Sequence, residues 1–225
     1  MNKTIVLYLL CICHFNYSHS QAMSYKTYTY LALGDSYTIG EQVATRDNFP
    51  HQTVALLAKD NYSFQQPVIV AKTGWTTDEL QVGIALAGLD KKYDFVSLLI
   101  GVNNQYRGRD KAEYTQQFEK LLKQSIQFAG NIPEHVFVLS IPDWGVTPFA
   151  EGHDRKQIAD EIDAFNSIIK DLASKYNVHY IDITPGTRQA NNDLSLLAED
   201  QLHPSGKEYS FWAQELARAI RKQVK

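Results

Sequence analysis

A serine hydroxyl is a poor nucleophile until a base takes its proton and an acid orients that base. Three residues of this 225-residue sequence have the types and settings for that task. Ser36 follows Gly34 and Asp35 at the end of an aromatic and apolar run, residues 28–33, that reads as a buried strand. A strand ending at Gly34 can turn sharply there. Ser36 then falls at the strand's carboxyl end, where open α/β sheets keep their ligand crevices. His203 precedes Pro204, and the residue before a proline is pushed out of helical geometry. It therefore belongs to a loop, from which its ring can reach across a sheet edge. Asp200, three residues earlier, is close enough in a tight turn to accept a hydrogen bond from the imidazole Nδ1–H. That bond fixes the tautomer and leaves Nε2 for the serine. A plainer reading makes Asp200 and Ser205 capping groups and His203 a loop residue; the company of Gly-Asp-Ser favours the first.

A tetrahedral intermediate also needs donors aimed at its developing negative charge, and losing one typically raises the barrier by about 2.7–4 kcal/mol. The Asn103 side-chain amide, the N–H of Gly74 and the N–H of Ser36 are the candidates. Gly74 has a strand-end turn as its alternative role, and Asn103 a turn stabilised by its own side chain. Asp143 is a rival acid, although Pro142 and Gly145 beside it favour a turn role. Asp35 is expected to bond nearby backbone amides. His51, His135, His153 and His179 are scattered without metal-ligand spacing. No glycine-rich phosphate loop occurs. Neither metal nor cofactor is expected.

The elements that must position these groups alternate. Apolar strands are predicted over residues 28–33, 67–71, 94–100, 135–141 and 178–183. Helices fall between them: one capped by Asp47 or Asn48 with Pro50 in its first turn, one capped by Thr76 or Thr77, then residues 110–128 and 154–175, the last with Ile158, Ile162, Phe165, Ile169 and Leu172 on one face. A last helix begins near Pro204, with Tyr209, Trp212, Leu216 and Ile220 on its inner face. Strand–helix alternation repeated five times implies a parallel sheet with helices on both faces. Right-handed crossovers put every strand-to-helix turn on one rim. Ser36, Gly74, Asn103 and Asp143 share that rim despite their separation in sequence.

The chain is long enough for one well-buried α/β domain. A formal charge of −3 with 44% hydrophobic residues shows no basic excess that would ask for nucleic acid. Residues 1–20 read as a secretory signal peptide: a short positive start, an apolar run over residues 5–13, then small residues at Ser18 and Ser20. The run is too short to span a bilayer, which takes ~20 residues. Residues 21–225 are then a single exported domain, periplasmic or released, with no stable membrane insertion. Cys11 and Cys13 both lie in the leader, so the mature protein would have no disulfide, thiol nucleophile or thiolate metal site. A lipid-anchored start at either is disfavoured by the large residues before them, Leu10 and Ile12.

Four short blocks together resemble the SGNH (GDSL) hydrolase family: Gly34-Asp35-Ser36, Gly74, Gly101-Val102-Asn103 and Asp200-Gln201-Leu202-His203. Their order covers almost the whole of the predicted mature chain. The resemblance implies a flavodoxin-like three-layer α/β/α fold with a five-stranded parallel sheet. It also implies ester hydrolysis by Ser36, with His203 as base, Asp200 as orienting acid, and an oxyanion hole from Ser36, Gly74 and Asn103. One departure is visible, since Asn104 stands where the family usually has Asp. The α/β-hydrolase alternative is disfavoured, because its Gly-x-Ser-x-Gly pattern would need glycine at position 38, where Thr38 stands.

Tyr37, Trp75, Tyr106, Trp144 and Phe149 fall in or just beyond rim loops. Tyr37, Trp75 and Trp144 are candidates for a substrate pocket, with core packing as the alternative. Arg107 and Arg109 could meet an anionic substrate but read more simply as solvated. The predicted mature chain has no long apolar stretch to act as a lid, so small soluble acyl esters, O-acetylated carbohydrate among them, are expected. A lysophospholipase or thioesterase would use the same machinery, and a small-ligand binding module would keep the fold without the chemistry.

Overall fold

Every residue of the segment Tyr30–Asp35 is buried, and a strand with no solvent face belongs in the middle of a parallel sheet. A computed structural model describes residues 26–89 and 91–224 and places it there. The predicted leader, with both cysteines, lies outside the described residues. After a two-residue strand β1 (Thr27–Tyr28), the chain forms β2 (Tyr30–Asp35), the one-turn helix α1 (Ser36–Ile39) and α2 (Phe49–Lys59). The short β3 (Ser63–Phe64) pairs with β1 alone. Then come β4 (Val68–Lys72), α3 (Thr77–Leu86), β5 (Phe95–Leu99), the single-turn α4 (Val102–Tyr106) and α5 (Lys111–Phe128). The chain closes with β6 (Val136–Leu139), α6 (Arg155–Lys175), β7 (His179–Ile181), the short α7 (Thr184–Thr187) and α8 (Gly206–Arg221).

The main sheet is five-stranded and parallel, in the order β4-β2-β5-β6-β7. Counted along the chain, that is second, first, third, fourth, fifth, the flavodoxin-like order. The direction of winding reverses between β2 and β5, so the carboxyl ends of those two strands flank the switch point where such sheets bind ligands. Ser36 follows β2 and Asn103 follows β5 by one turn.

Helix packing supplies the other two layers. On one side α2 packs along α8; on the other α5 lies between α3 and α6. The predicted inner faces are the buried ones: Tyr209, Trp212, Leu216 and Ile220 on α8, and Ile158, Ile162, Phe165, Ile169 and Leu172 on α6. Burying each such side chain contributes about 1.5–3 kcal/mol. The helix starts are set by side chains. Asn48 caps α2 by accepting from the His51 N–H, and Thr76 with Glu79 forms a capping box on α3.

Several boundaries differ from the sequence reading. Strand β2 runs through Asp35 instead of stopping at Gly34, because Asp35 still pairs with Lys72 of β4. Helix α8 starts after Ser205, which accepts from the Glu208 N–H, and Pro204 stays outside in a bridge to Leu197. Beyond the last predicted strand, residues 184–187 form a helical turn, α7.

Candidate active site

The nucleophile candidate is aimed by a close fold-back of the chain. At Gly34 a Cβ would lie 2.1 Å from the Thr38 hydroxyl and 2.4 Å from the Leu99 carbonyl oxygen. Only glycine lets α1 fold back onto the strand end there. The Asp35 carboxylate then accepts the Tyr37 N–H at 3.0 Å and caps the turn, as its predicted bonding to nearby amides required. Ser36, first residue of α1, is 4% exposed.

The imidazole arrives from the other end of the chain on a small closed loop. Leu197 and Pro204 form an antiparallel bridge, and the Ala198 N–H donates to the His203 carbonyl at 2.8 Å. Within that loop one Asp200 oxygen accepts the N–H groups of Leu202 and His203, at 3.1 and 3.0 Å. The other oxygen meets His203 Nδ1 at 2.5 Å. Burial pushes the Asp200 carboxyl up, but the hydrogen bonds from His203 and Leu202 outweigh it and hold the group below the usual carboxylate range. An ionised carboxylate only accepts, so Nδ1 carries the proton and Nε2 presents its lone pair. Nε2 lies 3.0 Å from Ser36 Oγ, across 167 residues of sequence. The Tyr37 ring packs against the imidazole at 5.2 Å between centroids.

The oxyanion side is built differently. Gly74 follows β4 with φ +81°, and its carbonyl accepts from Arg107 Nη2 at 2.6 Å. Arg107 also reaches the Glu79 carboxylate at 3.3 Å. Asn103, one helical turn before Arg107, donates its Nδ2–H groups to the Trp75 carbonyl at 3.0 Å and to Asp35 at 3.4 Å. The two donor candidates are thus cross-braced between α4 and the β4–α3 loop. Burial pushes the Asp35 carboxyl up to about 7, against the lowering bonds from Tyr37 and Asn103.

Asn104 makes good the departure from the family pattern. Its side-chain oxygen accepts the Thr77 N–H at 3.1 Å and its Nδ2 donates to the Thr77 hydroxyl at 2.8 Å. That hydroxyl donates in turn to Gln117. An amide thus satisfies both groups of Thr77 and ties α4 to the start of α3.

A cleft of about 130 Å³ opens above Ser36 and His203, walled by Val102, Asn103, Tyr106, Trp144, Phe149 and Leu202 together with Tyr37. Tyr37 and Trp144 therefore line it, while Trp75 does not. The Trp75 ring lies against Gly83 of α3, where a Cβ would come within 2.0 Å of it. A bare glycine on a helix gives the indole a flat apolar seat, and packing there wins over the cleft. The rival acid Asp143 is held away from such a role. It accepts from the Gly145 N–H at 2.9 Å and pairs with Arg188 at 2.9 Å. Arg107, read from sequence as solvated, is the main positioning contact that went unread; its spacing of four from Asn103 carries that signal only once residues 102–106 are known to be helical. Among the described residues no group of three or more His, Cys, Asp or Glu side chains gathers as a metal site would need, and no helix is long and apolar enough to cross a membrane.

A parallel sheet of this strand order, with a serine at its switch point, is the architecture of the SGNH-type hydrolases. Residues 32–210 match the GDSL-like lipase/acylhydrolase family, and the chain belongs to that family. Its fold is similar to the crystal structure of TesA (TM-score 0.69, 16% identity), over 88% of this chain and 100% of that one. It is also similar to a lipase/acylhydrolase from Enterococcus faecalis (TM-score 0.67, 19% identity, 88% and 97% covered). The acetylxylan esterase Axe2 from Geobacillus stearothermophilus is a third (TM-score 0.64, 20% identity, 86% and 94% covered). No curated protein matches the sequence.

Proposed function

We propose that this hydrolase cleaves small soluble acyl esters with Ser36 as nucleophile, His203 as general base and Asp200 as the acid that orients it. The single observation that carries the reading is the Ser36 Oγ to His203 Nε2 contact of 3.0 Å, backed by the 2.5 Å contact of Nδ1 with Asp200. His203 takes the Ser36 proton as Oγ attacks the ester carbonyl. The imidazolium so formed is stabilised by the Asp200 carboxylate. It returns the proton to the departing alcohol, leaving an acyl-serine. Water, deprotonated by the same imidazole, then releases the acid and restores the serine.

The oxyanion would be met by the N–H groups of Ser36 and Gly74 and by the Asn103 amide. Asn103 must exchange one of its present bonds for the oxyanion. The 3.4 Å contact with Asp35 is the weaker of the two and the one to yield.

Small acyl groups are favoured because Tyr37 and Trp144, 3% and 4% exposed, are packed side chains that close the floor of the cleft. Acetyl esters of carbohydrate are within this class, and an acetylxylan esterase shares the fold. Export belongs to the proposal as well, supported by the leader pattern in residues 1–20.

A panel of acetyl, butyryl and palmitoyl aryl esters, acylated sugars, a lysolipid and a thioester tests the proposal. The expected result is Ser36-dependent hydrolysis falling off with acyl length. Preference for palmitoyl or the lysolipid would replace small esters with lipids, and turnover surviving Ser36→Ala would remove the mechanism.

A further inference from the structure

Two cavities meet at Trp144. In front lies the cleft of about 130 Å³ that holds Ser36 and His203. Behind lies a much smaller space of about 20 Å³, whose walls include Pro142, Ala190, Leu196, Leu197 and Pro204. Tyr37, Trp144 and Leu202 line both. Polar groups that border the rear space are already engaged. The Thr147 hydroxyl donates to the Trp144 carbonyl at 2.7 Å, and the Thr187 hydroxyl to the Thr184 carbonyl at 2.8 Å. Asp143 is taken up by Gly145 and Arg188, and Glu208 accepts from Trp212 Nε1 at 2.8 Å. What they leave is a small, mainly apolar void, with room for about one water-sized group and unattractive to a polar one.

The partition is held in place from several sides. Trp144 Nε1–H donates to Gln105 Oε1 at 2.8 Å, and Gln105 Nε2 donates onward to Glu161 at 2.7 Å. Tyr106, Phe149 and His153 meet the indole edge-on, with centroids 5.3, 6.0 and 5.3 Å away. A side chain with a bonded edge and three rings against it does not swing aside cheaply.

We propose that Trp144 is the residue that sets acyl length, a fixed partition between the reaction cleft and a small apolar void behind it. This rests on the ester-hydrolase reading of Ser36 and His203. With the indole in place, an acyl chain that outgrows the cleft meets the ring face. With the indole removed, the volume it vacates joins the cleft to the void behind, and the added methylenes enter apolar surroundings.

The test is kcat/KM toward p-nitrophenyl acetate, butyrate and octanoate, measured for the wild type, Trp144→Ala, and Trp144→Ala combined with Leu196→Phe. The octanoate-to-acetate ratio is expected to rise at least about tenfold in Trp144→Ala, the scale on which apolar pockets discriminate chain length. Filling the vacated volume from behind with Leu196→Phe is expected to take most of that gain away. An unchanged ratio in a folded, Ser36-dependent variant overturns the partition and leaves the hydrolase reading standing. No hydrolysis of any of the three esters by the wild type overturns both together. Should Trp144→Ala fail to fold, Trp144→Leu keeps the position apolar while shortening the side chain, and the same rise or constancy of the ratio decides the matter.

Discussion

The two halves of the site are held by different kinds of contact. On the base side, Asp200 and His203 lie three residues apart and secure each other through a side-chain contact of 2.5 Å and backbone bonds inside one loop. Only the final step, to Ser36, is long-range. On the proposed oxyanion side the side-chain bonds are long-range: Asn103 bonds to groups 28 and 68 residues away, and Arg107 reaches 33 residues to the Gly74 carbonyl. The base side is complete without substrate, whereas the Asn103 donor is already in use and has to be released. Damage to the base side should therefore abolish chemistry, while damage to the braces should degrade it by degrees.

Three substitutions sharpen that comparison through activity. Ser36→Ala is expected to lower kcat on the order of 10⁴–10⁶-fold with folding intact, measured on p-nitrophenyl acetate. Asn103→Ala removes one proposed oxyanion donor and is expected to cost about 10²–10³-fold in kcat, with KM little changed; a loss confined to KM would make Asn103 a binding group instead. Arg107→Met should lower kcat on the order of ten- to a hundredfold by letting the Gly74 carbonyl and its loop drift, a ~1 Å error being enough. Arg107→Lys should recover only part, because one ammonium does not span both Gly74 and Glu79. Equal kcat in Arg107→Met and the wild type would break the idea that the oxyanion side is braced from α4.

The last prediction concerns Asp35 and is read in stability. Its burial favours the neutral acid in the folded state, with a folded pKa of about 7. The stability it contributes is fully present below the unfolded value near 4 and is lost as pH rises toward 7. Asp200 has the opposite sign: its contribution is present above its unfolded value and is lost as pH falls through its lowered folded value. The wild type should therefore lose stability from about pH 4 to pH 7 by a component that Asp35→Asn lacks. Urea midpoints of the two proteins, compared across that window, check it, and parallel curves would count against the assignment.

The same contrast explains what could be read from the residues alone. Asp200 and His203 were legible because a tight turn joins them, and the faces of α6 and α8 because long amphipathic helices repeat their apolar positions several times. The single turns α1, α4 and α7 are shorter than any such period, so residues 101–105 read as loop and the Asn103–Arg107 alignment stayed hidden. Aromatic rim residues read alike in sequence, yet Trp144 lines the cleft and Trp75 packs on Gly83. What separates them is the seat each ring finds, Trp75 on a bare glycine of α3 and Trp144 against Gln105 of α4, and composition holds no record of it.

The most direct test of the central claim, that His203 activates Ser36, is covalent labelling by a serine-directed fluorophosphonate followed by peptide mass spectrometry. The account predicts one adduct, on Ser36, formed rapidly in the wild type and slowed by orders of magnitude in a folded His203→Ala variant. Equal labelling rates in the two proteins, or an adduct on another residue, would contradict it.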